Sequence, residues 1–235
     1  MRAALLIPAS CRPLPADAVA ASPDLVLLDA EGSWPMAGLI RETRSALPGA
    51  LVFVRIRPLA LDGQEELEAA LEGEPSGIWL SEAVGRRAVE QLGSRIAVGE
   101  ARLGIADGAT RIVAAIETAA GALAIKSLAE AGSRLAGISY DGAPIAREVG
   151  CEPDAEPVRG ARAYLLLAAA AARIPAIDAT ADLDAFAAHA SRANRDGFSA
   201  KLALDLGQLA VLKRIGAQAP LGRWIENFVS GVATK

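Results

Sequence analysis

The chain has 235 residues, 52% of them hydrophobic and 22% charged, and a formal net charge of −4. That is enough apolar material to bury a substantial core within one α/β domain. The acidic balance, with no dense Lys/Arg cluster interleaved with aromatics, excludes the electrostatic footprint of a nucleic-acid binder.

The opening "MRAALLIPASC" has a single basic residue, Arg2, and Pro8 breaks its apolar stretch early, so it is not expected to act as an export signal. The first strand is expected at "AALLIP" (3–8), followed by "DLVLLD" (24–29) and "LVFVRI" (51–56). Short Val-, Ile- and Leu-rich runs such as these read as strands covered on both faces. A helix is expected over "EELEAALEG" (65–73), a strand at "GIWL" (77–80) and a helix over "EAVGRRAVEQLG" (82–93). The next stretch, "SRIAVGEARLGIADGAT" (94–110), holds an extra strand-like run and two glycine turns, and reads as an inserted hairpin or lid.

The rhythm then resumes with a strand at "IVAAIE" (112–117), a helix over 118–132 and a strand at "LAGISYD" (135–141). "GARAYLLLAAAAAR" (160–173) is the most apolar helix, yet it falls short of the ~20 residues that cross a bilayer, so no membrane association is expected. A strand at "PAIDA" (175–179), a helix over 182–194 and a strand at "FSAKLAL" (198–204) complete the series. Eight strands average about 29 residues per unit, the size of a βα repeat, and no glycine-rich phosphate loop follows the first strand. The expected fold is a single-domain (β/α)8 TIM barrel over residues 1–235.

In such a barrel the polar residues at strand C-termini converge on one face. Here they are Asp29 and Glu31, Arg55 and Arg57, Ser81 and Glu82, Glu117, Asp141, Asp178, and Lys201 with Asp205. Carboxylates facing arginines suit a hard divalent cation beside an anionic substrate, because Mg2+ takes one or two carboxylates plus waters and arginine clamps oxyanions. That chemistry supports an enolate in carbon–carbon bond cleavage or formation. Glu117 lies directly between a buried strand and a helix, which favours a functional role. Arg55 sits inside an apolar strand and needs an anionic partner, either a ligand or a carboxylate such as Glu31.

The only histidine, His189, falls on an outer helix, so a Ser-His-Asp or Cys-His apparatus is excluded. Cys11 and Cys151 form no C-x-x-C pair, which fits a reducing cytoplasm better than a zinc site or secreted disulfides. Trp34, Trp79 and Trp224 read as packing residues. The apolar segment "WIENFVSGV" (224–232) suits either a subunit interface or a terminal helix packed on its own barrel.

The stretches "LLIPAS" with the following "RP", "DLVLLDAEGS", "VFVRIRPL", "GIWLSEAV", "IVAAIETAAGAL", "LAGISYDGAPIAREVG", "IPAID" and "GFSAKLALDLGQL" run in order from residue 3 to about 215. In this order and spacing they resemble the HpcH/HpaI aldolase and citrate lyase beta-subunit family, in particular its short CitE-like members. The resemblance implies a (β/α)8 barrel, often trimeric and hence a homo-oligomer, that uses Mg2+ to stabilise an enolate of a small carboxylate or acyl-CoA substrate. Arg55 then falls on the family's substrate-binding arginine, Glu117 on a metal-ligand glutamate, Glu31 on the acidic position of the second strand and Lys201 on the strand-eight lysine. On this basis Arg55 and Glu31 are catalytic candidates, and Arg55, Arg57 and Lys201 are substrate-binding candidates.

The chain also departs from the family pattern. Gly32 replaces a second acid, Arg57 an asparagine and Glu82 a lysine. Pro144 stands where the family's second metal ligand is expected, leaving Asp141, or alternatively Glu31, to join Glu117 at the metal. A lyase or aldolase is the leading expectation, and a catalytically impaired barrel serving as a ligand-binding or regulatory subunit is the alternative.

Overall fold

The computed structural model describes residues 1–8, 14–29, 35–180 and 185–216. Expectations for Cys11, Glu31, Trp34, Trp224 and 224–232 concern residues outside these. Eight parallel strands close into a barrel in sequence order: β1 (Arg2–Pro8), β2 (Leu25–Asp29), β3 (Leu51–Ile56), β4 (Gly77–Leu80), β5 (Arg111–Ile116), β6 (Leu135–Tyr140), β7 (Ala176–Asp178) and β8 (Ala200–Ala203). Closure comes from β8 pairing with β1, Ala4 opposite Leu202. Around the strands lie α1 (Ala16–Ala21), α2 (Met36–Ala46), α3 (Gly63–Leu71), α4 (Gly85–Leu103), α5 (Ala119–Ala124), α6 (Gly142–Val149), α7 (Glu156–Ala172), α8 (Phe186–Asp196) and α9 (Leu206–Gly216). This is the expected (β/α)8 TIM barrel.

The strands are continuously apolar because each alternates between two buried layers. One set fills the barrel interior: Ala4, Leu25, Leu27, Phe53, Trp79, Val113, Ala115, Ile177, Ala200 and Leu202. The alternate set, including Val26, Leu28, Val52, Val54, Ala114 and Ile116, packs against the surrounding helices. Trp79 is therefore an interior packing residue. Gly77 makes room for the neighbouring Phe53, since a Cβ there would lie 2.2 Å from the Phe53 ring.

One expectation is overturned. Residues 94–110 form no hairpin or lid; α4 runs through to Leu103 and ends on left-handed Gly104. The "RIAV" run resembles a strand only when read locally. Val89, Leu92, Ile96 and Gly99 are buried at helical spacing, so the helix period governs the segment. The helix expected over 118–132 divides into α5 and a 3-10 turn, Ile125–Glu130.

Candidate active site

The same two-residue period that fills the interior selects the residues at its mouth. Asp29 continues the inward series of Leu25 and Leu27, Arg55 continues from Phe53, and Glu117 continues from Val113 and Ala115. Strand register sets Asp29 opposite Arg55 and Arg55 opposite Trp79.

Arg55 is the hub of this group. Its Nε donates to Ser81 Oγ at 2.9 Å and its Nη2 to Glu117 Oε1 at 3.0 Å, while Nη1 stands 4.0 Å from Asp29 Oδ2. The other oxygen of Glu117, Oε2, accepts the backbone N–H of Glu82 at 3.0 Å. Glu82 has φ +49°, a left-handed conformation uncommon for a residue with a side chain. The turn around it is fixed on both sides, with Ser81 N–H donating to Ile56 O at 3.0 Å and Ala83 N–H to Ala115 O at 2.8 Å. The ends of β3, β4 and β5 are thereby joined through one carboxylate and one guanidinium.

Two caps hold the neighbouring segments. Thr118, directly after Glu117, starts α5 by accepting the Gly121 N–H on Oγ1 at 3.0 Å. Asp141 follows β6 and caps α6, its Oδ1 accepting the Ala143 N–H at 3.0 Å. Burial pushes the Glu117 carboxyl above its ordinary pKa, an effect opposed by Arg55 and the Glu82 N–H and reinforced by Asp141. Burial also raises Asp141, opposed by the Ala143 N–H and reinforced by Asp178. Asp141 thus acts on Glu117 by repulsion, and carboxylate oxygens are the hard donors that Mg2+ takes together with waters and substrate oxygens. Among the described residues no group of three or more His, Cys, Asp or Glu side chains is arranged to hold a metal ion.

The remaining candidates lie elsewhere. Arg57 turns onto α3 and its preceding loop, with Nε 2.7 Å from Glu66 Oε1 and Nη1 2.5 Å from Asp62 Oδ2. Lys201 lies between Ala200 and Leu202, both interior residues, so the alternation sends its side chain to the outer layer. There Nζ donates to Asp178 Oδ2 at 3.1 Å and Thr180 O at 2.9 Å, with the Phe186 ring 5.2 Å away. His189 is on the exposed side of α8. Sequence reasoning missed the Glu82 backbone N–H, which no side-chain identity reveals, and Ser139, whose buried Oγ has no hydrogen-bond partner among the described residues. Ser139 precedes Asp141 by two residues, a spacing that the strand period would have exposed.

With fold and mouth in view, the comparisons are specific. A family profile described as HpcH/HpaI aldolase/citrate lyase matches residues 2–205, and the chain belongs to that family. Among solved structures it is similar to RipC from Yersinia pestis, with 26% identity and a TM-score of 0.71 over 95% of this chain and 97% of that one. CitE from Mycobacterium tuberculosis, in complex with magnesium, acetoacetate and coenzyme A, is 23% identical with a TM-score of 0.69 over 100% of this chain and 88% of that one. A malate synthase from Haloferax volcanii, in a pyruvate/acetyl-CoA ternary complex, has 16% identity and a TM-score of 0.76 over 100% and 76%. The last two establish a shared fold. No curated protein matches the chain significantly in sequence. Among the described residues no helix is long and apolar enough to cross a membrane.

Proposed function

We propose that the chain is a divergent CitE-like carbon–carbon lyase or aldolase acting on a small hydroxy acid or its CoA thioester. The observation that carries this reading is the single hydrogen-bonded cluster of Arg55, Ser81, Glu117 and the Glu82 N–H at the C-terminal mouth, where TIM barrels keep their chemistry. Family membership and the magnesium, acetoacetate and coenzyme A of the M. tuberculosis CitE complex support the substrate class.

In the cleavage direction a general base takes the proton of the substrate hydroxyl, its carbon becomes a carbonyl as the carbon–carbon bond breaks, and the electron pair of that bond passes into an enolate that is then protonated. Arg55 orients the substrate carboxylate or carbonyl with the N–H groups that its present partners leave available. Glu117 and Asp141 would hold Mg2+, which when bound supplies positive charge beside the developing enolate. Glu31 is proposed as the acidic catalytic partner after β2. Arg57 remains a proposed substrate contact that requires its present ion pairs to open, whereas Lys201, turned to the outer layer against Asp178, is read as a structural tie instead. The reading further proposes a single-domain, cytoplasmic homo-oligomer, with a trimer as the state to test by light scattering.

Purified protein should cleave malyl-, citramalyl- or citryl-CoA in a Mg2+-dependent manner, and Glu117→Ala should abolish that activity. Turnover unchanged by Glu117→Ala would remove the proposed chemistry. A second reading, a catalytically impaired barrel that binds ligand as a regulatory subunit, is favoured by Pro144, which has no ligating side chain, and by the engagement of both Glu117 oxygens. Calorimetry with Mg2+ and CoA esters separates the two: coupled metal and ester binding supports the lyase, and ester binding indifferent to metal supports the regulatory subunit.

A further inference from the structure

At the opposite end of the barrel, a cavity of about 500 Å3 lies between the start of β5, the segment leading into β6 and the end of α7. Its wall includes Arg111, Glu130, Gly132, Ser133, Ala172 and Arg173. Arg111 opens β5 and Glu117 follows its far end, so at a strand rise of ~3.3 Å per residue the two are roughly 20 Å apart along the strand.

Arg111 is half-buried, and its solvent-shielded Nε has no hydrogen-bond acceptor among the described residues. Burial and then repulsion from Arg134 lower its pKa, with no carboxylate counteracting them. The nearby acids are already committed. Glu100 accepts Arg134 Nη2 at 2.7 Å and Nη1 at 3.1 Å, together with the Gly108 and Thr110 N–H groups, and Asp107 pairs with Arg134 as well. Glu130, the carboxylate on the cavity wall, is largely exposed and leans toward Arg86 at 3.6 Å. Arg173 is the C-cap of α7, at the helix end that carries partial negative charge. Among the described residues Arg111 thus has no carboxylate partner on this wall.

A charge withdrawn from water without a partner is costly, and a planar guanidinium is matched best by an oxyanion. We propose that this cavity binds a small metabolite through a carboxylate or phosphate group held by Arg111. Its volume falls in the range of small-molecule sites, about 300–1,000 Å3, and exceeds what a lone oxyanion fills. The site is independent of the chemistry proposed for the mouth.

The test is thermal unfolding and calorimetry of the full chain with inorganic phosphate and, separately, malonate, each against sodium chloride of equal ionic strength. At least one anion should bind saturably and raise the unfolding temperature. Arg111→Met should lose that component, and Arg55→Met, which disables the mouth, should retain it. A response to phosphate alone identifies a phosphoryl ligand, and a response to malonate alone a carboxylate. In sodium chloride alone Arg111→Met should unfold at a temperature no lower than the wild type, because it removes an uncompensated charge; lost binding is then not lost folding. No saturable response to either anion, or a response unchanged in Arg111→Met, overturns the proposal.

Discussion

Two ion pairs at the C-terminal side of the barrel differ in what they leave available. Lys201 and Asp178, with side chains 0% and 7% exposed, join β7 to β8 in the layer between sheet and helices. The Lys201 ammonium has two oxygen acceptors and an aromatic face, so its donors are used within the fold. Arg55 and Glu117, 35% and 11% exposed, join β3 to β5 at the open mouth. A guanidinium carries five N–H donors, and the bonds to Ser81 and Glu117 use two of them. The same kind of pairing is thus closed within the fold in one place and leaves a partly exposed guanidinium at the mouth in the other. Side-chain parity decides which is which: Arg55 points inward and Lys201 outward.

The contrast predicts opposite phenotypes. Lys201→Met should lower folding stability by about 3–5 kcal/mol, because removing one partner strands a buried charge. Denaturant unfolding measures this, and a loss below about 1 kcal/mol would mean that the seam pair is not structural. Arg55→Met should instead show its main effect in turnover, with kcat/KM of the proposed thioester cleavage falling about 10²–10³-fold, the scale for losing a preorganised donor at a developing negative charge. If Lys201→Met retained its fold and lost only activity, the two roles would be reversed.

A titration sharpens the picture at the mouth. Burial, with Asp178 nearby, holds the Asp141 carboxyl above its ordinary pKa. Its contribution to stability is therefore fully present below the unfolded-state pKa and is lost as pH rises through the raised folded value. Asparagine keeps an oxygen to cap the Ala143 N–H and removes this titration. Asp141→Asn should accordingly gain stability relative to wild type as pH rises from about 4 toward neutrality. Parallel unfolding curves across that range would show that the carboxyl is not under strain. The smallest expected effect is that of Thr118→Ala, which removes the α5 cap beside Glu117 and should cost about 1 kcal/mol. A disproportionate drop in activity with that modest loss would show that the cap also aims the Glu117 carboxylate.

The barrel was legible in sequence because all eight strands announce themselves as short apolar runs, and the inward pair Arg55 and Glu117 stands out as charge at the ends of such runs. Residues 94–110 were misread because "RIAV" is β-branched locally, whereas the helical burial of Val89, Leu92 and Ile96 appears only over a longer window. Lys201 shows a further limit. Its position in the chain suggests the mouth, but one residue of register sends a strand side chain to the other face. The Glu82 N–H escaped notice because a backbone donor is fixed by a turn, not by residue type.

The most direct test of the Arg55–Glu117 mouth as a reaction site is a crystal structure of the chain with Mg2+ and oxaloacetate. The ion should sit on the Glu117 carboxylate, with Asp141 reaching it directly or through water, and an oxygen of the organic acid should lie about 3 Å from the Arg55 guanidinium. A ligand seated away from Arg55, with Glu117 carrying no ion and still bound to Arg55 and the Glu82 N–H, would contradict it.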